Sequence, residues 1–362
     1  MKDFKKIAKI LVERQLRIKE KEVVSVSGGL HNLDFLEEIT IAVRRVGGFP
    51  MLHLGWENLA KRLVNDIPEK FLSQVPDHSI VIEELIDCHI SIPSFADPGK
   101  LEQLHPKKIL LKTKAGKAVH EASVKKGARR IGIGYPTEAE AKIYGVPFPA
   151  YHDLFWTAVD ADLDRIFELC HKIREKLRGD RVRIISPQGD ELRFSIKDRR
   201  INMDDGVMSD EDFQSGDLTA NLPFGEVYVA PIEETVAGVA AYPLVFHKGK
   251  KIKNLKLIFK NGKMVDSQAA ENHELFLEAI ATHTGDKDKI GEMGIGTNHE
   301  VHEPMGNTLL DEKIFGSIHL ALGENRSYGG KNISSCHWDM VMLSPTLYID
   351  DVLLLENGKF VL

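Results

Sequence analysis

Apolar positions along the first half of the chain switch repeatedly between two periods. Ile7, Ile10, Leu11 and Leu16 fall to one side of a helix over residues 4–16. The run Val23-Val24-Ser25-Val26-Ser27 then reads as a strand that stops at Gly28-Gly29, and residues 33–46 return to helical spacing until Gly47-Gly48. Residues 51–54 return to a strand, and residues 89–92, 108–111 and 130–133 read as short buried strands, with a helix over 117–126 between the last two. Alternation of this kind predicts a mostly parallel sheet with helices on its faces. A further helix, Leu163–Leu177, ends at Arg178-Gly179-Asp180.

Beyond that point the pattern becomes one of hairpins. Residues 182–185 and 192–196 flank Pro187-Gln188-Gly189-Asp190, and residues 255–259 and 264–265 flank Asn261-Gly262. Asn-Gly suits a two-residue hairpin turn because both positions need positive φ. Residues 352–355, Asn357-Gly358 and 360–362 repeat the device. The expected architecture is therefore an α/β N-terminal domain over 1–178, followed by a β-rich α+β catalytic domain over 179–362. The second domain carries a helix over 269–282.

Two domains suit 362 residues, and 43% apolar with 28% charged residues is the composition of an ordinary globular enzyme. A net charge of −6 gives no reason to expect nucleic acid or an anionic membrane as partner. The basic run from Lys248 to Lys253 has no interleaved aromatics and reads as a solvated strand. Charge interrupts the apolar positions of Met1-Lys2-Asp3-Phe4-Lys5-Lys6, unlike a signal or transit peptide. No window approaches the roughly 18 apolar residues of a membrane span. Three widely spaced cysteines, Cys88, Cys170 and Cys336, fit a reducing cytoplasm and leave His and carboxylate as the plentiful metal ligands. Neither Gly28-Gly29 nor Ala115-Gly116-Lys117 completes a phosphate-loop pattern.

Chemistry concentrates in four glycine-bounded stretches of the second half. In Asn221-Leu222-Pro223-Phe224-Gly225-Glu226-Val227-Tyr228-Val229-Ala230-Pro231, the proline and glycine place Glu226 at the start of a strand. In Gly291-Glu292-Met293-Gly294-Ile295-Gly296-Thr297-Asn298, Glu292 has apolar neighbours that make a bare carboxylate costly unless a cation meets it. In Gly316-Ser317-Ile318-His319-Leu320-Ala321-Leu322-Gly323, strand alternation turns His319 away from the large apolar side chains, between two small residues. In Gly329-Gly330-Lys331-Asn332-Ile333-Ser334-Ser335-Cys336-His337-Trp338-Asp339, His337 and Asp339 share one face of an extended chain, and Cys336 takes the other. Imidazole with carboxylate and no thiolate suits zinc, cobalt, manganese or iron.

At these stretches the sequence resembles the thermophilic metalloaminopeptidase family of the aminopeptidase T and aminopeptidase S type. That family carries N-x-P-x-G-E followed by A-P, then G-E-x-G-I-G-T-N, a Gly-x-x-His strand, and G-G-x-N-x-S-x-x-H-x-D. All four are present in order, across about residues 180–345, and Asp311-Glu312-Lys313 fits the pattern as well. The resemblance implies that Glu226, Glu292, His319, His337 and Asp339 are metal ligands, that the substrate is a peptide, and that the protein is a homodimer. Apolar C-terminal strands ending at Leu362 offer interface material.

Five ligands exceed the needs of one tetrahedral ion, so two divalent ions (zinc, cobalt or manganese) sharing Glu226 or Glu292 are expected. The family's tyrosine between the two histidine stretches corresponds to Tyr328, an expected donor to the tetrahedral oxyanion. Glu233 and Glu234 are the non-ligand acids considered as general base, and surface exposure is the expectation for both. The competing reading is a mononuclear iron ring-cleaving dioxygenase of the related hydroxypyridine-opening type, with His319, His337 and Asp339 as its triad. A binding protein that only keeps the fold is the third reading, and an intact ligand set argues against it.

Overall fold

The structure, a computed structural model, describes residues 2–247 and 249–362, and at residue 102 the backbone alone. Two compact units emerge. The first comprises residues up to Val159 together with Val207–Leu222, and the second comprises Asp160–Gly206 and Pro223–Leu362.

In the first unit every strand of a five-stranded sheet runs parallel, in the spatial order Phe49–Gly55, Val23–Gly29, Cys88–Ser91, Arg129–Ile133, Thr219–Leu222. The last strand comes from far along the chain. The N-terminal helix is α-helical over Phe4–Lys9 and π-helical over Ile10–Gln15, and it buries Ile7, Leu11, Val12 and Leu16. Residues 108–111 are not a strand. They belong to the helix Pro106–Lys126, which begins with proline at its first turn, where no helical donor is lost, and ends at Gly127 with φ 69°. A run of four apolar residues is too short to choose between periods. Here the helix leaves Leu110 exposed to solvent.

The second unit stacks its core between an eight-stranded sheet, built from hairpins, and a five-stranded antiparallel sheet. Asn261 and Gly262 have φ 49° and 82°, and Asn357 and Gly358 have φ 50° and 78°. These are the paired left-handed conformations that a tight hairpin requires. Lys250, Lys251 and Lys253 project to solvent from the strand Lys250–Lys260, and Lys248 lies outside the described residues. The helix expected over 269–282 is His273–Ala281. The helix Leu163–Leu177 was expected to close the first domain, yet it buries Ile166, Cys170, Ile173 and Leu177 in the core of the second unit. Its apolar stripe is satisfied there, beside Val227 and Val229 of the smaller sheet. Among the described residues no helix is long and apolar enough to cross a membrane.

Truncating Ile173, fully buried in that stripe, to alanine should lower the unfolding free energy by about 2–5 kcal/mol. Chemical denaturation of the whole chain checks this, and a change below about 0.5 kcal/mol would mean that the helix does not pack there.

Candidate metal centre

The five-stranded sheet of the second unit has two faces of opposite character. Its strands lie in the order His337–Met342, Ile318–Gly323, Ile290–Gly296, Glu226–Val229, Ile201–Asp204. Val227, Val229, Met293, Ile295, Ile318, Leu320, Leu322, Met340 and Met342 point into the core. The alternate positions form the other face, where cross-strand register sets Asp339 beside Ala321 and Ala321 beside Glu292. One step along, Val341, His319, Gly294, Tyr228 and Asn202 are aligned, and Gly296 pairs with Glu226, which pairs with Asp204.

Glu292 reaches this face because of an irregularity. Ile290 pairs with Leu322 and Glu292 with Ala321, so the ladder slips at Gly291. In a regular strand Ile290 and Glu292 would share a face. The bulge sends Ile290 to the core and Glu292 to the site. Glycine is required at Gly294 for a different reason. The His319 ring lies over it, and a Cβ there would come within 2.0 Å of Nε2.

The five expected ligands converge. Nε2 of His319 lies 3.4 Å from Oε1 of Glu292 and 3.5 Å from Oε2 of Glu226. Nε2 of His337 lies 3.6 Å from Oε2 of Glu292 and 3.3 Å from Oδ2 of Asp339. Glu292, His319 and Asp339 each offer a ligand atom within 4.8 Å of the others. The ring of His337 is oriented by its other nitrogen, Nδ1, 3.0 Å from the Glu324 carbonyl. Oε2 of Glu226 and Oδ1 of Asp339 are buried without a hydrogen-bond donor, as free lone pairs facing a cation would be. The donor set fits a divalent transition metal.

Charges inside the cluster act on one another strongly. Burial opposes a charged imidazole at His319, but Glu292, Glu226 and Asp339 outweigh it and raise the group to about 9. Burial is likewise overcome at His337 by Asp339 and Glu292, which raise it to about 10. Burial would raise Asp339, yet His337 and His319 hold it down to about 2. Burial and the Asp339 charge push Glu292 upward against the two imidazoles.

Three further residues surround this set. Lys313 has no exposure and places Nζ 2.5 Å from Oε1 of Glu226, 3.4 Å from Oε2 of Glu312 and 3.6 Å from Oδ2 of Asp204. Burial raises Glu312 well above the ordinary carboxylate range, helped by Asp339 and Glu226. Sequence reasoning noticed the Asp311-Glu312-Lys313 string without a role for it, and it gave no signal for Asp204. Tyr328 is half-buried, its ring 5.4 Å from the His337 ring and 5.4 Å edge-on from Tyr228. Burial, then Glu292 and Asp339, push its phenol upward.

Glu234 is exposed, as expected, but Glu233 is not. Its carboxylate pairs with Arg199 and accepts hydrogen bonds from the Lys331 backbone at 2.6 Å and from Nδ2 of Asn325 at 3.0 Å. It is engaged in tying down the loop that carries Tyr328. The string Ile232-Glu233-Glu234 holds no hint that one acid faces inward.

Comparison with known proteins identifies the family. The family described as thermophilic metalloprotease (M29) matches residues 1–360, and the chain belongs to it. Aminopeptidase AmpS of Bacillus subtilis (strain 168) is 32% identical over 127 residues, covering 33% of this chain and 30% of that protein. The match thus spans under a third of the relative's length. Wild-type AmpT from Thermus thermophilus has the same fold, with a TM-score of 0.76 at 20% identity over 99% of both chains. The 2,5-dihydroxypyridine dioxygenase from Pseudomonas putida KT2440 aligns at TM-score 0.63 and 13% identity, over 99% of this chain and 96% of that one.

Two outcomes follow for metal binding. Both imidazoles hold protons in the metal-free protein up to about 9 and about 10, against 6.5 when free, so a cation must displace them. Their stabilisation of the metal-free fold is complete below about pH 6.5 and is lost as pH rises through 9 to 10. Zinc affinity therefore rises between pH 6.5 and 8.5, and calorimetric titration at the two values checks it, a flat response being the contrary result. Gly294→Ala displaces His319 and should weaken zinc binding by about tenfold or more, read by competition with a chromogenic chelator.

Proposed function

We propose that this M29 protein is a metal-dependent aminopeptidase that releases N-terminal amino acids from peptides, and that it works with two divalent ions. The observation that carries the reading is the charge of the cluster. The ammonium of Lys313 is paired with Asp204, Glu226 and Glu312, and Glu292 and Asp339 lie beside the two imidazoles. Once ligation has displaced the imidazole protons and the acids are ionised, five carboxylates against one ammonium leave four negative charges, which two divalent ions would balance. Buried charge without such balance is strongly disfavoured.

In this reading His319, Glu226, Glu292, His337 and Asp339 hold the ions. Glu292 lies between the two imidazoles, its Oε1 facing His319 and its Oε2 facing His337, and would be the acid available to both ions. Bound ions supply Lewis acidity, which lowers the pKa of water toward about 7 and polarises a scissile carbonyl. The chain's own groups do the rest. Glu312, pushed upward by burial and outside the proposed ligand set, is the acid suited to accept and return a proton. Tyr328 keeps its phenol protonated and beside His337, placed to donate to oxygen as negative charge develops there. The Arg199–Glu233 pair holds that tyrosine's loop: Arg199 donates to the Gly329 carbonyl, and Glu233 accepts from the Lys331 backbone.

A mononuclear ring-opening oxygenase would use His319, His337 and Asp339 and leave Glu226 and Glu292 without a task, so the acid-rich cluster favours the peptidase. The expected outcome is hydrolysis of aminoacyl-p-nitroanilides, abolished by chelator and restored by cobalt, zinc or manganese, with two ions per chain by elemental analysis. His337→Ala should lower kcat/KM by about a hundredfold or more, in line with loss of a metal ligand. One iron per chain and no peptidase activity would transfer the assignment to ring cleavage.

A further inference from the structure

Lys313 stands apart from the expected ligands because its backbone, as well as its side chain, is built into the site. It follows the short helix Thr308–Asp311, its amide donates to the Leu310 carbonyl at 3.0 Å, and its own carbonyl accepts from the Asn298 amide at 3.1 Å. Gly296, in the ligand-bearing strand, lets this segment pass: a Cβ there would sit 2.0 Å from the Ile314 carbonyl oxygen and 2.8 Å from the Lys313 carbonyl carbon. Asn298 is fixed in turn by donating Nδ2 to the Phe224 carbonyl at 2.8 Å, two residues before Glu226. The ammonium therefore enters the cluster from a rigid backbone, and it meets Glu226 at 2.5 Å, nearer than either of its other partners.

Glu226 is thereby divided. One oxygen, Oε1, is taken by Lys313, whereas the other, Oε2, faces His319 and accepts no hydrogen bond. We propose that Lys313 is a positioning residue of the metal centre, which reserves one oxygen of Glu226 and restricts that carboxylate to single-oxygen ligation through the other. The inference rests on the metal-centre reading above. A cation beside a donor carboxylate withdraws part of the negative charge that the carboxylate would give to a metal. Lys313 thus lowers metal affinity in this pocket and leaves a bound ion more electron-poor, hence a stronger Lewis acid.

The sign of the effect separates this role from a purely structural one. Loss of a packing residue loosens the ligands and weakens metal binding, whereas loss of a competing charge strengthens it. The test is a cobalt titration of the full-length chain by calorimetry, with the visible absorption of the bound cobalt recorded alongside, for the wild type and for Lys313→Met. The proposal expects Lys313→Met to bind cobalt about tenfold or more tightly, since an adjacent buried charge is only weakly screened. Absorption per cobalt should fall, because Glu226 then supplies both oxygens and the coordination number rises. Unchanged or weaker affinity with an unchanged spectrum would overturn it. Should Lys313→Met not fold without metal, the Lys313→Met/Asp204→Asn double variant keeps the pocket's net charge, and its spectrum decides: lower absorption per cobalt supports the proposal and an unchanged spectrum overturns it. A wild-type chain that binds no cobalt would remove the metal centre itself, an outcome distinct from a wild type and a variant that bind alike.

Discussion

Carboxylates packed on one face of a sheet and shielded from water repel each other, and the second unit is organised around meeting that repulsion with positive charge. Glu226, Glu292 and Asp204 are each almost fully buried. An uncompensated buried carboxylate costs several kcal/mol even after relaxation. Lys313, His319 and His337 offset part of this from the protein's own side chains, and the upward displacement of Glu292 and Glu312 shows that they do not offset all of it. The remainder is an affinity for cations built into the fold. Stability and function are therefore coupled here: the residues that make metal binding favourable are those that make the metal-free state strained.

The sheet carries this load because its two faces are separated residue by residue. Alternation alone places His319 opposite Ile318 and Leu320, and His337 with Asp339 opposite Trp338 and Met340. Glu292 needs more than alternation, since Ile290 and Met293 on either side both belong to the core. The slip at Gly291 resolves that conflict by spending one extra residue. Gly294 and Gly296 then remove side chains where the His319 ring and the Lys313–Ile314 backbone lie against the strand. The spaced glycines of Gly291-Glu292-Met293-Gly294-Ile295-Gly296 thus have three separate tasks, one in register and two in clearance.

Much of this was readable from the sequence, and the reasons for the failures are physical. Strands with flanking glycines, the two Asn-Gly hairpins and the shared face of His337 and Asp339 all follow from local periodicity and turn chemistry. Local pattern misread residues 108–111, because four apolar residues suit either period and Pro106, a helix-start signal, precedes them. It also assigned Leu163–Leu177 to the preceding domain, since an amphipathic stripe says that a helix packs but not against what. Glu233 and Asp204 were invisible for another reason. The partners that make their burial tolerable, Arg199 and Lys313, are 34 and 109 positions away, and no local signal marks a charge that will be paired only by the tertiary fold.

The two structural likenesses, one to AmpT and one to a 2,5-dihydroxypyridine dioxygenase, show why the fold cannot decide the reaction. A triad such as His319, His337 and Asp339 serves a single redox metal, and the same triad serves half of a hydrolytic pair. What differs is how much negative charge the rest of the pocket imposes. Each additional buried carboxylate raises the affinity for a second divalent ion, and each fixed ammonium lowers it. Glu226 and Glu292 on the face, with Lys313 beside Glu226, are the ground on which two ions rather than one are proposed. The lysine then limits how completely Glu226 can neutralise its ion, so that binding strength is held back in favour of electrophilic power at the carbonyl. On this fold the division of labour between tight binding and strong polarisation comes down to which oxygen of one glutamate is left free.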